Sequence, residues 1–349
     1  MRGSIRLFKI FGIAVNIHIT FFLLFFLAIY GGWKWLFLII GVFFFVTIHE
    51  LSHSLMAKRF GIIVREITLL PIGGIASMTK MPEKPRQEFL ISIVGPLSNI
   101  VIIAVFFLPM KFLLGPDVLF HELSTRTWPL TIAYLYWINL MLAGFNLIPA
   151  FPMDGGRVLR AVLAARIGFQ KATKIAVNLG HIFALLFVFL GIKYNVFLIA
   201  IAVFIYFSAS NEGMHVDVKE TLKKFRVRDI LPRDFIILDK QTTLAKVLEF
   251  IFHSHQEDFP ILDNKELVGF VTRQDIMKSI HTFGMEKAVG EVMRKVFPKV
   301  KDSDLLIRAQ EVMHEKGMRA LPVMKDGKLA GVITIEDIGR AYAVASQRP

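Results

Sequence analysis

Cysteine is absent from all 349 residues. No disulfide can form and no thiolate can hold a metal, so a metal centre in this chain must be built from histidine and carboxylate. Acidic residues are scarce in one part only. Residues 1–211 hold 7 Asp and Glu against 18 Lys and Arg, whereas residues 212–349 hold 21 against 23. Most of the net charge of +13 therefore belongs to the first part. A nucleic-acid footprint would need a basic face on the charge-balanced tail, so a nucleic-acid partner is not expected. Long uncharged runs, by contrast, are abundant. With 54% hydrophobic residues the chain is too apolar for an ordinary soluble protein, and nearly all of its long apolar runs precede residue 212.

Six apolar segments stand out, at about 10–30, 35–57, 89–110, 129–147, 175–192 and 196–209. The first three approach or exceed the ~20 residues needed to cross a bilayer, and the last is short. The N-terminus carries basic residues ahead of its apolar run, as a signal peptide does. No small-residue cleavage site follows, which predicts a retained first span. Lys and Arg crowd residues 2–9, 58–86 and 157–174, while the alternate connections carry only Lys34, Lys111, Arg126 and Lys193. The positive-inside rule then predicts six crossings of the cell membrane with both termini cytoplasmic, and Asp117 and Lys193 on the opposite side.

The chemistry concentrates in two stretches. Residues 41–61, GVFFFVTIHELSHSLMAKRFG, place His49 and His53 four residues apart on one helix face, with Glu50 about 100° round from His49. In an H-E-x-x-H helix the two histidines hold zinc and the glutamate handles the proton of a water. Alternatively the histidines only hydrogen-bond neighbouring helices, but ionisable groups inside a membrane-length helix are costly and usually functional. Residues 145–160, FNLIPAFPMDGGRVLR, break a helix at Pro149 and Pro152 and hold Asp154 near the cytoplasmic interface, the depth inferred for His53. Asp154 either pairs with Arg157 or supplies the third ligand that a catalytic zinc requires. Asn146 either donates to a substrate carbonyl or braces the broken helix.

Two further stretches lie between. VREITLLPIGGIASM, at 64–78, reads as a hairpin or re-entrant segment, either an edge strand for an extended substrate or a surface hairpin. Gly95, Ser98 and Asn99 are small or polar residues read first as helix packing and second as function.

Together, HELSH and N-x-x-P-x-x-P-x-D-G (Asn146, Pro149, Pro152, Asp154, Gly155), in this order and at one depth, resemble the two signature motifs of the site-2 protease family of intramembrane zinc metalloproteases. The resemblance covers essentially all of residues 1–211. It implies His49, His53 and Asp154 as ligands of one zinc ion per chain. It also implies Glu50 as general base and Asn146 as an oxyanion or substrate-positioning residue.

The tail repeats itself with a period of 62: VRDIL at 227 against VGEVM at 289, and FPILDNKELVGFVTRQDI against LPVMKDGKLAGVITIEDI. Each unit reads as helix, strand, turn at Asp263-Asn264 or Asp326-Gly327, strand and closing helix. The G-x-x-T-x-x-D that closes each unit resembles the CBS domain. That resemblance implies an adenine nucleotide at Thr272, Asp275, Thr334 and Asp337. The same residues are explained without a ligand by Thr as helix N-cap and Asp in the first turn.

The expected fold is thus a polytopic α-helical membrane protein of about six transmembrane helices with a C-terminal cytoplasmic α/β CBS-pair domain. Residues 1–211 form the protease domain, 212–226 a linker, and 227–282 and 288–345 the two CBS domains. The expected function is cleavage of a transmembrane or membrane-bound protein substrate within the lipid bilayer, regulated through the CBS pair, which is also a surface for homodimer formation. A CBS-gated transporter or channel and an inactive membrane scaffold are the alternatives. The first fits poorly with polar groups clustered at one depth, the second with an intact Glu50.

Overall fold

The computed structural model of the chain describes residues 3–71, 73–78, 82, 84–115, 124–254 and 256–346. Arg2, Lys80 and Asp117, used above to orient the spans, lie outside them. The chain divides into two compact units, Met1–Met214 and His215–Pro349.

In the first unit the 10–30 segment does not form the expected helical span. It contributes to two strands, β1 (Ser4–Ile10) and β2 (Ile13–His18), and to a ten-residue helix, α1 (Phe22–Gly31). The reason is a period of two inside the apolar run. In IAVNIH the branched residues Ile13, Val15 and Ile17 alternate along the strand, and Ile13 and Val15 are fully buried. Ten helical residues cover about 15 Å, half of a ~30 Å hydrocarbon core. Gly32, with φ at 74°, ends α1 and turns the chain into α2 (Trp33–Arg59). The rings of Phe21 and Phe43, eleven residues either side of Gly32, meet with centroids 4.5 Å apart, so α1 folds back along α2.

The expected hairpin is present as β3 (Val64–Leu70) and β4 (Gly73–Met78). It joins the first two strands in one sheet of order β1-β2-β3-β4, with β2 and β3 parallel and the outer pairs antiparallel. Ile13, Val15, Ile67 and Leu69 pack from this sheet against Phe43, Val46 and Ala57 of α2. Backbone pairing within the sheet is what makes strands tolerable at this depth.

The remaining helices are α3 (Pro85–Leu114), α4 (Trp128–Asn146), α5 (Asp154–Ile167), α6 (Phe169–Lys193) and α7 (Phe197–Leu222). Among the described residues, five helices are long and apolar enough to cross a membrane: α2, α3, α4, α6 and α7. Small residues line part of the α6–α7 interface. On α6, Ala172, Ala176, Gly180 and Ala184 recur every fourth position and are buried, and Ala176 packs with Ala209 of α7. With lipid outside, close backbone approach and not hydrophobicity selects such stripes. The polar 212–226 stretch expected as linker is mostly helix, because α7 runs on to Leu222.

The second unit contains both repeats. The first comprises β5 (Leu238–Asp239), α8 (Leu244–His253), β6 (Phe259–Asp263), β7 (Glu266–Val271) and α9 (Arg273–Phe283). The second comprises α10 (Val289–Val292), β8 (Val300–Lys301), α11 (Leu306–Lys316), β9 (Ala320–Lys325), β10 (Lys328–Thr334) and α12 (Ile335–Ser346). Both make a three-stranded sheet with one parallel and one antiparallel pair. Asn264-Lys265 and Asp326-Gly327, all at positive φ, turn the two hairpins, the first lying one residue beyond the expected place.

Each repeat lends its leading segment to the other. Leu222 and Val227, with Leu231 against them, enter the core around Val300, Leu321 and Ile333. Val289, Val292 and Met293 enter the core around Leu238, Phe259 and Ile276. Gly331 and Gly269 make room for this exchange. A Cβ at Gly331 would lie 2.9 Å from Leu231 Cδ1, and one at Gly269 2.1 Å from Met293 Sδ.

Candidate metal centre

His49 and His53 project from the same face of α2, both buried, with ring centroids 4.7 Å apart. The third group arrives from the break after α4. Chain 147–153 leaves helix geometry, and Asp154 opens α5. Gly155 and Gly156 let this turn close. A Cβ on either would come within 2.4 Å of the backbone of residues 147–150. Asp154 Oδ2 consequently lies 3.0 Å from His49 Nε2 and 3.0 Å from His53 Nε2, and the two Nε2 atoms are 3.1 Å apart.

This triangle fits a metal on grounds of donor chemistry. His53 Nδ1 sits 2.5 Å from the Ile91 carbonyl oxygen, an acceptor, so that nitrogen carries the proton. His49 Nδ1 meets Asn99 Oδ1 at 2.8 Å, also an acceptor. In the neutral rings both Nε2 lone pairs then point at a carboxylate oxygen, three acceptors facing one another, and a positive charge has to sit among them. Ligand atoms of a tetrahedral zinc with ~2.0–2.1 Å bonds are ~3.3 Å apart, close to the spacing seen. Among the described residues these three form a cluster able to hold a metal ion.

Space around the cluster is set by glycine. A Cβ at Gly95 on α3 would fall 2.2 Å from His53 Nε2 and 2.9 Å from His49 Cε1. Glu50, half-buried, faces β4, where a Cβ at Gly74 would fall 2.6 Å from its Cγ. It lies within electrostatic reach of His53, His49, Asp154 and Arg157. Asn146, the last residue of α4, donates its amide to the Leu142 carbonyl at 3.0 Å, the bracing arrangement.

Several residues tied to this centre carried a weak functional signal in the sequence or none. Gly95 and Asn99 read first as packing and second as function, and their spacing of four on one helix was the available clue. Asn139, buried on α4, is bonded to Asn99. Arg160 read as an orientation charge, yet it is 3% exposed and bonded to Glu88 and Glu212 at 2.8 Å each.

In the second unit, the Thr and Asp of each repeat are capping pairs. Thr272 caps α9, its hydroxyl and N–H both donating to Asp275 Oδ2, and Thr334 does the same with Asp337. Asp275 is also gripped by Arg294 at 2.7 and 2.9 Å. Burial opposes its charge, but the Arg294 fork and Thr272 hold its carboxyl below the ordinary value. Asp337 differs in lining a cavity of about 740 Å³ with Lys224, Phe225, Arg340 and Ala341.

A His–His–carboxylate cluster with a glutamate one residue along the same helix, set among membrane-length helices, defines a membrane-embedded metallohydrolase. Comparison with known proteins agrees. Residues 37–127 and 118–187 match Peptidase family M50, and 227–282 and 289–344 match the CBS domain. A zinc metalloprotease of Methanocaldococcus jannaschii is 36% identical over 353 residues, 99% of this chain and 97% of that protein. Stage IV sporulation protein FB of Bacillus subtilis is 30% identical over 142 residues, 40% of this chain and 45% of that one. The solved site-2 protease from Methanocaldococcus jannaschii is 43% identical, covering 60% of this chain and 95% of its own, with a TM-score of 0.46. The chain belongs to peptidase family M50, the site-2 proteases, and is a membrane zinc metalloprotease with a C-terminal CBS pair.

The detergent-purified protein is expected to hold about one zinc per chain in a three-ligand site. Asp154→Ala and His49→Ala should each lower the zinc content measured by elemental analysis. Parental zinc in both variants would remove this cluster as the metal site.

Proposed function

We propose that residues 1–211 cleave a peptide bond of a transmembrane or membrane-bound protein, with His49, His53 and Asp154 holding the zinc. The observation that carries this reading is the convergence of three acceptor atoms beside Glu50, which faces β4, the last strand of its sheet. Zinc in such a site supplies Lewis acidity, lowering the pKa of water towards neutrality and polarising a carbonyl. Glu50 takes the proton of the attacking water and returns it to the leaving amine. A helical amide is shielded by its own turn, so the substrate must be drawn out into extended form. Among the described residues β4 pairs with β3 alone in its sheet, and Gly74 brings its backbone against Glu50, so a substrate strand added along β4 would pass the base. Asn146 is assigned to positioning that strand, through the amide hydrogen and the Oδ1 that its bond to the Leu142 carbonyl leaves over. Glu50→Gln keeps the shape and the ligands and removes the base. It is expected to retain zinc while cleavage of a membrane substrate falls ~10²–10⁴-fold. Parental cleavage by this variant would sink the mechanism.

The orientation follows from charge and from the α1–α2 hairpin. Because α1 folds back along α2, β2 lies beside β3 at the Lys58-Arg59 end of α2, so β2 and α1 together make the first of six crossings. Both termini, and the basic segments around 58–86 and 155–174, are then cytoplasmic. A topology reporter fused at Lys193 should read the opposite side, and a cytoplasmic signal there would overturn this arrangement.

The domains proposed are the protease at 1–211, a connection at 212–226, and CBS units at 227–282 and 288–345. These units also offer a surface for pairing two chains. An adenine nucleotide is proposed as the ligand of the pair, through Thr334 and Asp337 beside the Lys224 and Arg340 charges and, in the other repeat, through Thr272 and Asp275. A ligand alters cleavage only by binding two arrangements with different affinity. Calorimetry on the full chain should show adenine nucleotide binding that Asp337→Ala weakens. No heat at millimolar nucleotide would leave the module as a dimerisation or docking element.

A further inference from the structure

The two histidines of the metal centre are held in different ways. His53 Nδ1 donates to a backbone carbonyl, which only accepts, so the tautomer of His53 is fixed outright. His49 Nδ1 faces the side-chain amide of Asn99, and a primary amide can accept or donate. Turned over, Asn99 would present Nδ2 to His49. Nδ1 would become the acceptor, and the proton of the ring would move to Nε2, the atom that faces His53 and Asp154. Some other group has to keep the amide the right way round.

We infer that Asn139, in the middle of α4, is the positioning residue that does so. Asn99 Nδ2 donates to Asn139 Oδ1 at 2.7 Å, and Asn139 Nδ2 donates back to the Asn99 backbone oxygen at 3.1 Å. That backbone oxygen has no proton to offer. Asn139 must therefore turn Nδ2 towards it and Oδ1 towards Asn99 Nδ2, which leaves Asn99 Oδ1 for His49. One main-chain oxygen, read through two amides, sets the tautomer of a ligand histidine. Water does not compete, since Asn99 is 0% and Asn139 1% exposed. Ser98 Oγ approaches Asn99 Oδ1 at 3.4 Å, but its single proton goes to the Gly95 carbonyl at 2.6 Å. Asn139 thus gives α4 a hold on His49, while the chain leaving the same helix presents Asp154.

The inference rests on His49 being a metal ligand, and the test separates the two claims. Zinc affinity is measured by chelator competition on the full-length, detergent-solubilised protein. Asn139→Leu, close in shape but without the amide, is expected to weaken zinc binding ~10–100-fold, the usual effect of removing an outer partner of a ligating histidine. Asn99→Asp introduced into Asn139→Leu should recover most of the loss, because a carboxylate accepts from His49 Nδ1 either way up. If Asn139→Leu does not fold, Asn139→Ala takes its place with the same two readings. Unchanged affinity in the Asn139 variant overturns the inference. A loss that Asn99→Asp does not recover assigns Asn139 to packing and overturns it equally. His49→Ala is run alongside. Zinc lost there but retained in the Asn139 variant overturns the inference alone, and zinc retained in both overturns the metal reading with it.

Discussion

Three acceptor atoms meet within 3.1 Å inside a helix bundle, and the rest of the membrane unit is arranged to make that tolerable. No water reaches a hydrocarbon interior to satisfy stray polar groups, so each ring nitrogen pointing away from the centre needs a partner supplied by the protein. α3 provides both. Its Ile91 carbonyl takes the His53 proton, its Asn99 takes that of His49, and its Gly95 leaves the space into which both rings turn. A buried donor without a partner costs about 1–3 kcal/mol, so a one-residue shift of α3 against α2 would be penalised at both rings at once. The H-E-x-x-H motif lies on α2, but its geometry is decided on α3.

That division explains what could be read from residues alone. A motif confined to one helical turn fixes its own geometry through the 3.6-residue repeat, so His49, Glu50 and His53 were legible. Asp154 was legible because Pro149, Pro152 and the following glycines announce a broken helix. The outer residues carry no such local grammar. A lone Asn139 in an apolar helix has no partner within reach along the sequence, and its meaning comes from Asn99, forty positions away. The first apolar segment was misread for a different reason. A twenty-residue average sees only hydrophobicity, while the strand signal is six residues of alternation between Ile13 and His18. The CBS signature was legible as sequence but double in meaning, since Thr272–Asp275 and Thr334–Asp337 are complete capping boxes without any ligand.

In the C-terminal unit the informative feature is exchange. Leu231 and Met293 occupy equivalent places in the 62-residue repeat, and each fills the hole left by a glycine at the equivalent place in the other repeat. Neither repeat has a complete core alone, so the pair folds as one body, and a change at either repeat is felt in both. The cavity beside Asp337 follows from the same exchange. Lys224 and Phe225, which precede the first repeat, line it together with Arg340 and Ala341 of the second.

The position of Asp154 needs its own explanation, because α3 holds only the histidines. The answer lies six residues further along α5, at Arg160. The guanidinium of Arg160 bonds Glu88 on α3 and Glu212 on α7, and lies 4.7 Å from the ring centroid of Phe151 and 4.6 Å from that of Phe169. Phe151 belongs to the chain that carries Asp154, and its N–H is fixed to the Ala176 carbonyl of α6 at 3.2 Å. Removing one member of a buried charge group typically costs 3–5 kcal/mol, because the remaining charge is stranded. Such a group is a poor source of net stability but a stiff reference point. Through it the third ligand is set from α3, α6 and α7 together. Glu88, eleven residues before Asn99 on the same helix, makes α3 the common rule against which all three ligands are placed.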